Sequence, residues 1–176
     1  MNSEDTNYLE YDDWRWHTEG RFPKDRLPEQ GYVHIGMYVA WLADHEMLDS
    51  GWVAKSGVKR ALAAMSERND TPCALRDMTA GRLTGEMMTA DGIAFSSAYY
   101  APQYGYAQDW QHAFGRRADR YEVPDDWATY DLIAPVIAYR YDSWVASGKP
   151  ELMHMPGFLG RLLMLWRSRD KAQPEQ

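Results

Sequence analysis

Apolar residues along this chain recur at three- and four-residue steps far more often than they alternate. That period places side chains on one face of a helix. Ile35, Tyr38, Trp41, Leu42 and Leu48 predict a first clear helix over residues 32–48, stopped by Asp49, Ser50 and Gly51. Val58, Leu62 and Met65 predict a second over 52–68, with Lys55, Lys59, Arg60, Glu67 and Arg68 on its other faces. A short third helix is expected from Thr71 as N-cap, with Pro72 at the first helical position and an end by Gly81. Residues 84–115 read as short helices broken by Gly85, Gly92, Pro102 and Gly105. The longest predicted helix runs over 125–147, capped by Asp125 or Asp126. Trp127, Tyr130, Ile133, Ile137, Tyr141 and Trp144 share its inner face, and Pro135 is expected to kink it without ending it. A last helix over 156–169 carries Phe158, Leu162, Leu163 and Trp166 beside Arg161, Arg167 and Arg169, and the tail after Asp170 is expected to fray.

The lead, residues 1–31, is broken by Gly20, Pro23, Pro28 and Gly31, yet Tyr8, Leu9, Tyr11, Trp14, Trp16 and Phe22 make it too apolar for a free tail. It is expected to lie across the body with a short strand or turn. Alternating strand patterns are scarce, and no repeat or long linker divides the chain. The expected fold is therefore mainly α: one multi-helix domain over 1–176, with at most short strands. Ile35, Tyr38, Trp41, Leu42, Leu62, Ile133, Ile137 and Trp144 are its expected core.

Composition refines this picture. With 176 residues and 45% hydrophobic residues the chain can bury a real core. No apolar run is long enough for a membrane span, and the acidic first residues do not read as a secretory signal. The single cysteine, Cys73, cannot form an internal disulfide and reads as a buried spectator in a cytoplasmic protein.

Charge is concentrated. Residues 1–50 hold eleven acidic and four basic residues, which is the whole net charge of −7. An acidic front end repels phosphate, so nucleic acid is not an expected partner. It would attract a basic protein. Asp12, Asp13, Glu19, Asp44, Glu46 and Asp49 are the candidate docking residues; the alternative is a solvated face.

Catalytic signatures are few. Phosphate-binding glycine loops and the GxSxG elbow are absent. His17 and His34, with Asp12, Asp13 or Glu19, have the residue types for a divalent-metal or acid–base site. Their 17-residue gap matches no tight ligand motif, and the other reading is two histidines hydrogen-bonded in place. His34 and His45 lie three helical turns apart, about 16 Å, too far for one ion. The aromatic run Tyr99, Tyr100, Tyr104, Tyr106 and Trp110 suits core packing first and a contact surface second.

The stretch Trp16-His17-Thr18-Glu19-Gly20-Arg21-Phe22-Pro23, followed by His34-Ile35-Gly36-Met37-Tyr38 and Ala40-Trp41-Leu42, resembles a family of small bacterial proteins of unknown function. Its members pair a WHxxGxFP lead with a HIGM helix. Looser matches run through Gly92, Phe95, Tyr99, Tyr106, Asp109, Tyr130 and Arg140. Such proteins are similar to cytoplasmic immunity proteins encoded beside secreted antibacterial toxins. The resemblance implies a binding protein in interbacterial competition that occludes a cognate toxin, without a cofactor. The alternative function is a small metal-dependent or acid–base hydrolase using His17 and His34.

Overall fold

The computed structural model describes residues 9–19, 22–102, 105–114 and 121–153. The helix expected over 156–169 and the tail lie outside the described residues, as do Gly20, Arg21 and Tyr104. The described residues form a mainly α body with one two-stranded sheet.

The lead supplies the first strand, β1 (Glu10–Asp13), which continues directly into a five-residue helix, α1 (Trp14–Thr18). Asp13 caps α1 by accepting the Arg15 N–H, and its carboxylate also takes the Arg15 guanidinium. A 3₁₀ turn over Pro28–Tyr32 then feeds α2 (Val33–Asp44). Every α2 residue from Val33 to Leu42 is buried. The sequence stripe marked one face for the core, whereas the fold surrounds the helix. An all-round apolar surface is what such burial requires.

α2 ends four residues earlier than its pattern predicts. His45 closes it, Glu46 takes a left-handed backbone (φ 56°), and Leu48 is buried in an isolated bridge to Met88 instead. The second predicted helix is split into α3 (Ser50–Val53), capped by Asp49, and α4 (Ser56–Ser66). Val58 and Met65 are buried, but Leu62 is only partly so, a correction to the expected core.

Residues 72–81 are successive turns rather than the short third helix. Ala74 and Arg76 donate to carbonyls three residues back. The Cys73 N–H donates to Asp125, a tertiary partner 52 residues away, so Thr71 is no helix cap. The segment closes at Gly81 (φ 72°), where a Cβ would lie 2.1 Å from Trp14 Cδ1. Gly36 is a second forced glycine: a Cβ there would meet Cys73 Sγ at 2.2 Å. These turns deliver β2 (Arg82–Thr84), which pairs antiparallel with β1, Asp12 opposite Leu83 and Asp13 opposite Arg82.

After a 3₁₀ turn over Gly85–Met87 come α5 (Ala90–Phe95), capped by Thr89, a π-helical segment over Ser96–Tyr100, and α6 (Tyr106–Phe114). Gly92 lies inside α5 and does not break it. α7 (Trp127–Ala146) matches its prediction, with Asp126 as the N-cap and Pro135 inside. None of the helices among the described residues is long and apolar enough to cross a membrane.

Ile35, Tyr38, Trp41, Leu42, Ile133, Ile137 and Trp144 form the expected core, joined by Phe95, Tyr99 and Tyr106. Tyr38 is at the centre of the ring contacts, 4.7 Å from Tyr100 and 5.2 Å from Tyr106 by centroid. Within this core Arg140 of α7 forks onto Asp109 of α6, Nε to Oδ2 at 2.7 Å and Nη2 to Oδ1 at 2.9 Å. Tyr99 donates to the same carboxylate at 3.0 Å.

Trp41→Ala is expected to cost about 3–5 kcal/mol because the emptied volume is enclosed on every side. Asp109→Ala leaves the Arg140 guanidinium buried and unpaired and should cost about 3–5 kcal/mol, whereas pairing Asp109→Leu with Arg140→Met should recover most of that loss. Urea unfolding of the variants checks both.

Candidate functional site

The structure brings three of the sequence candidates together. Asp12 is the next-to-last residue of β1, His17 is one turn into α1, and His34 is the second residue of α2. The strand–helix junction turns the chain sharply enough that His17, five residues on, points back at Asp12: His17 Nε2 is 2.6 Å from Asp12 Oδ1. His34 Nε2 is 3.2 Å from the other oxygen, Oδ2. The two imidazoles meet edge to face, centroids 4.4 Å apart. One nitrogen from each ring and one Asp12 oxygen lie within 4.8 Å of one another, a spacing that can hold a metal ion.

Sequence reasoning missed Tyr100 as a member. It donates to Asp12 Oδ2 at 2.6 Å, and the Asp13 N–H donates to Oδ1 at 2.9 Å. Asp12 thus takes four donors, about the capacity of a carboxylate. Tyr100 ends the π-helical segment, and the wider π turn is a feature that often marks functional sites. The Tyr-rich run was the available signal, but no spacing linked it to His17 or His34. Tyr106 fixes the start of α2 by donating to the His34 carbonyl at 2.8 Å.

Electrostatics follow from burial and donors. Burial alone would raise the Asp12 carboxyl, but hydrogen bonds and charge from His17 and His34 outweigh it and hold the group well below the usual carboxylate range. Burial, then the nearby Asp12 charge, pushes the Tyr100 phenol well above its ordinary value. It therefore stays a donor at neutral pH.

A pocket of about 170 Å³ opens beside the cluster. It is lined by Asp12, His17 and His34 together with Tyr11, Tyr100, Pro102, Tyr106 and Trp110, among others.

The other acidic candidates are elsewhere. Asp13 is buried and committed to Arg15. Glu19 is exposed at the end of α1. Asp44 and Glu46 are exposed at the far end of α2, where Asp44 accepts from the Tyr130 hydroxyl, and half-buried Asp49 caps α3. At about 1.5 Å per residue the twelve residues of α2 put its two ends roughly 18 Å apart. His45 stacks on Trp41, centroids 4.0 Å apart, and Cys73 is buried with its thiol pushed up by burial.

A family model for a domain of unknown function, DUF7832, matches residues 10–123. The chain belongs to that family. The matched span of the DUF7832 domain contains Asp12, His17, His34 and Tyr100, together with Tyr106 and Trp110 of the pocket. No curated protein and no solved structure matches the chain.

The depressed Asp12 carboxyl makes a signed prediction. Its contribution to stability is fully present above an unfolded pKa of about 3.9 and is lost as pH falls through the lower folded value. In chelator-treated buffer Asp12→Asn should therefore melt below wild type at pH 7, with the gap closing below about pH 4. Melting temperatures of both proteins across that range check it; a constant gap would contradict the linkage.

Proposed function

We propose that the DUF7832 domain is a small metal-dependent hydrolase whose centre is Asp12, His17 and His34. The observation that carries this reading is the convergence of two imidazoles and one carboxylate beside an open pocket. Two histidines and a carboxylate leave coordination positions for water and substrate, the arrangement of catalytic zinc and of related divalent sites. Zinc bonds of about 2.0–2.1 Å set tetrahedral donor atoms roughly 3.3 Å apart. One donor atom from each of Asp12, His17 and His34 already lies within 4.8 Å of the others, so small side-chain rotations bring them to that spacing. A ring nitrogen must be free of its proton to bind a cation, so the metal competes with protons and affinity rises with pH.

The chemistry supplied is activation of water, whose pKa a zinc ion lowers to about 7. Hydrolysis of an acyl substrate then balances simply. The water oxygen bonds to the acyl carbon, and the bond from that carbon to the leaving oxygen or nitrogen breaks. One water proton ends on the leaving group and the other is released with the acid. Tyr100 orients the Asp12 carboxylate from outside the coordination sphere.

Zinc titrated into chelator-treated protein should bind one ion per chain by calorimetry, more tightly as pH rises. Tyr100→Phe is expected to weaken binding about 10–100-fold, the usual cost of an outer-sphere partner. His17→Ala, His34→Ala and Asp12→Asn should each weaken it further while the fold is kept by circular dichroism. Absence of stoichiometric binding by wild-type protein with zinc, manganese, iron(II) or cobalt would sink the reading.

A second reading, a cytoplasmic immunity protein with an acidic docking surface, is supported by the charge asymmetry and by the exposure of Glu19, Asp44 and Glu46. Burial of Asp12 and Asp13 removes them from that surface. Neutralising Glu19, Asp44 and Glu46 together should slow association with an adjacently encoded basic toxin. The slowing should shrink as the Debye length falls from about 10 Å at 0.1 M salt to about 3 Å at 1 M. Rates unchanged at both salts would remove this reading.

A further inference from the structure

We propose that the pocket over Asp12, His17 and His34 binds an uncharged, ring-sized apolar group and presents its attached carbonyl to the metal centre. The substrate class is then a small aryl or cyclic acyl ester or amide. This rests on the reading of the three residues as a metal centre.

Size is the first argument. A cavity of about 150 Å³ takes one benzene ring, and this pocket measures about 170 Å³. The pocket is open, so this volume sets the size of the group inserted, about one ring, while the rest of a ligand extends outward. The walls are the second argument. Tyr11, Tyr100, Tyr106, Trp110 and Pro102 offer aromatic faces and ring edges, which favour a planar apolar guest through offset and edge contacts. They are also rigidly held. The Tyr11 hydroxyl is tied to Ser97 Oγ at 2.8 Å and donates to the Ile93 carbonyl, Tyr100 is fixed on Asp12, and Tyr106 on the His34 carbonyl. Trp110 packs against Phe114 at 4.5 Å. A preformed pocket loses little freedom when a ligand enters.

Adjacency is the third argument. The rings line the same pocket as Asp12, His17 and His34, and Tyr100 and Tyr106 reach that cluster through their hydroxyls. A ring held among them keeps its attached polar group inside the pocket that the two histidines line.

The experiment compares two hydroxamates on the zinc-loaded chain by calorimetry. Benzohydroxamate and acetohydroxamate chelate zinc through the same group and differ in the ring. Benzohydroxamate should bind at least tenfold tighter. Ala107→Trp, a substitution at an exposed helical position on the pocket rim, should erase most of that ratio while leaving zinc stoichiometry intact. Equal affinities on wild-type protein, or a ratio untouched by Ala107→Trp, would overturn the proposal and leave the metal centre standing. Failure of wild-type protein to bind any metal would instead remove the metal centre. The pocket is then decided by benzamide, a neutral probe: saturable quenching of tryptophan fluorescence that Ala107→Trp abolishes supports the ring site, and no binding overturns it.

Discussion

A carboxylate taken out of water must be met by donors, and the Asp12 side chain is where this protein meets that demand with residues far apart in sequence. Its two oxygens collect the Asp13 amide, His17, His34 and Tyr100. Those groups belong to β1, α1, α2 and the π-helical segment. Leaving one oxygen unmatched would cost more than an ordinary hydrogen bond contributes, because the desolvated charge remains. The lead is therefore tied to the helical body by electrostatics as well as by strand pairing with β2. The same convergence leaves imidazole nitrogens and a carboxylate oxygen side by side in the lining of a pocket. What fastens the lead is also what can bind a cation.

The aromatic core explains how the site keeps its shape. Tyr38 of the buried helix α2 touches Tyr99, Tyr100 and Tyr106, so the rings that shape the pocket are continuous with the centre of the molecule. On the far side α6 is fixed to α7 by the buried Asp109–Arg140 fork. A buried pair of this kind adds little net stability over apolar packing, but it is directional and punishes misalignment. It sits one residue from Trp110, on the helix that carries one wall of the pocket. The fixed direction of the fork thus sets where that wall stands.

Much of the fold was legible in the chain because helical periodicity is a local signal. The α7 pattern, the Asp126 cap and the core positions on α2 follow from spacing alone. Errors fell where a distant partner overrode a local preference. Leu48 left the helical stripe to bridge Met88, and Cys73 gave its N–H to Asp125 instead of starting a helix. Leu62 shares a period with Val58 and Met65, yet α4 is covered on one side only, so Leu62 stays partly open. Asp12 and Asp13 looked like surface acids because acidic residues usually are. Only the packing of the lead against the helical body and β2 buries them.

The sequence by itself determined the helical class, the apolar positions that must be inside, the acidic bias of the first fifty residues, and the presence of His17 and His34 as chemically capable residues. Each of these depends on residue type and near-neighbour spacing, which the chain displays directly. The tertiary structure decided that Asp12 rather than Asp13 or Glu19 joins the histidines, that Tyr100 completes the group from 88 residues away, and that an aromatic-walled pocket opens beside it. Those outcomes depend on where β1 docks and how the π turn rotates Tyr100. Long-range packing sets both, and no local period encodes it.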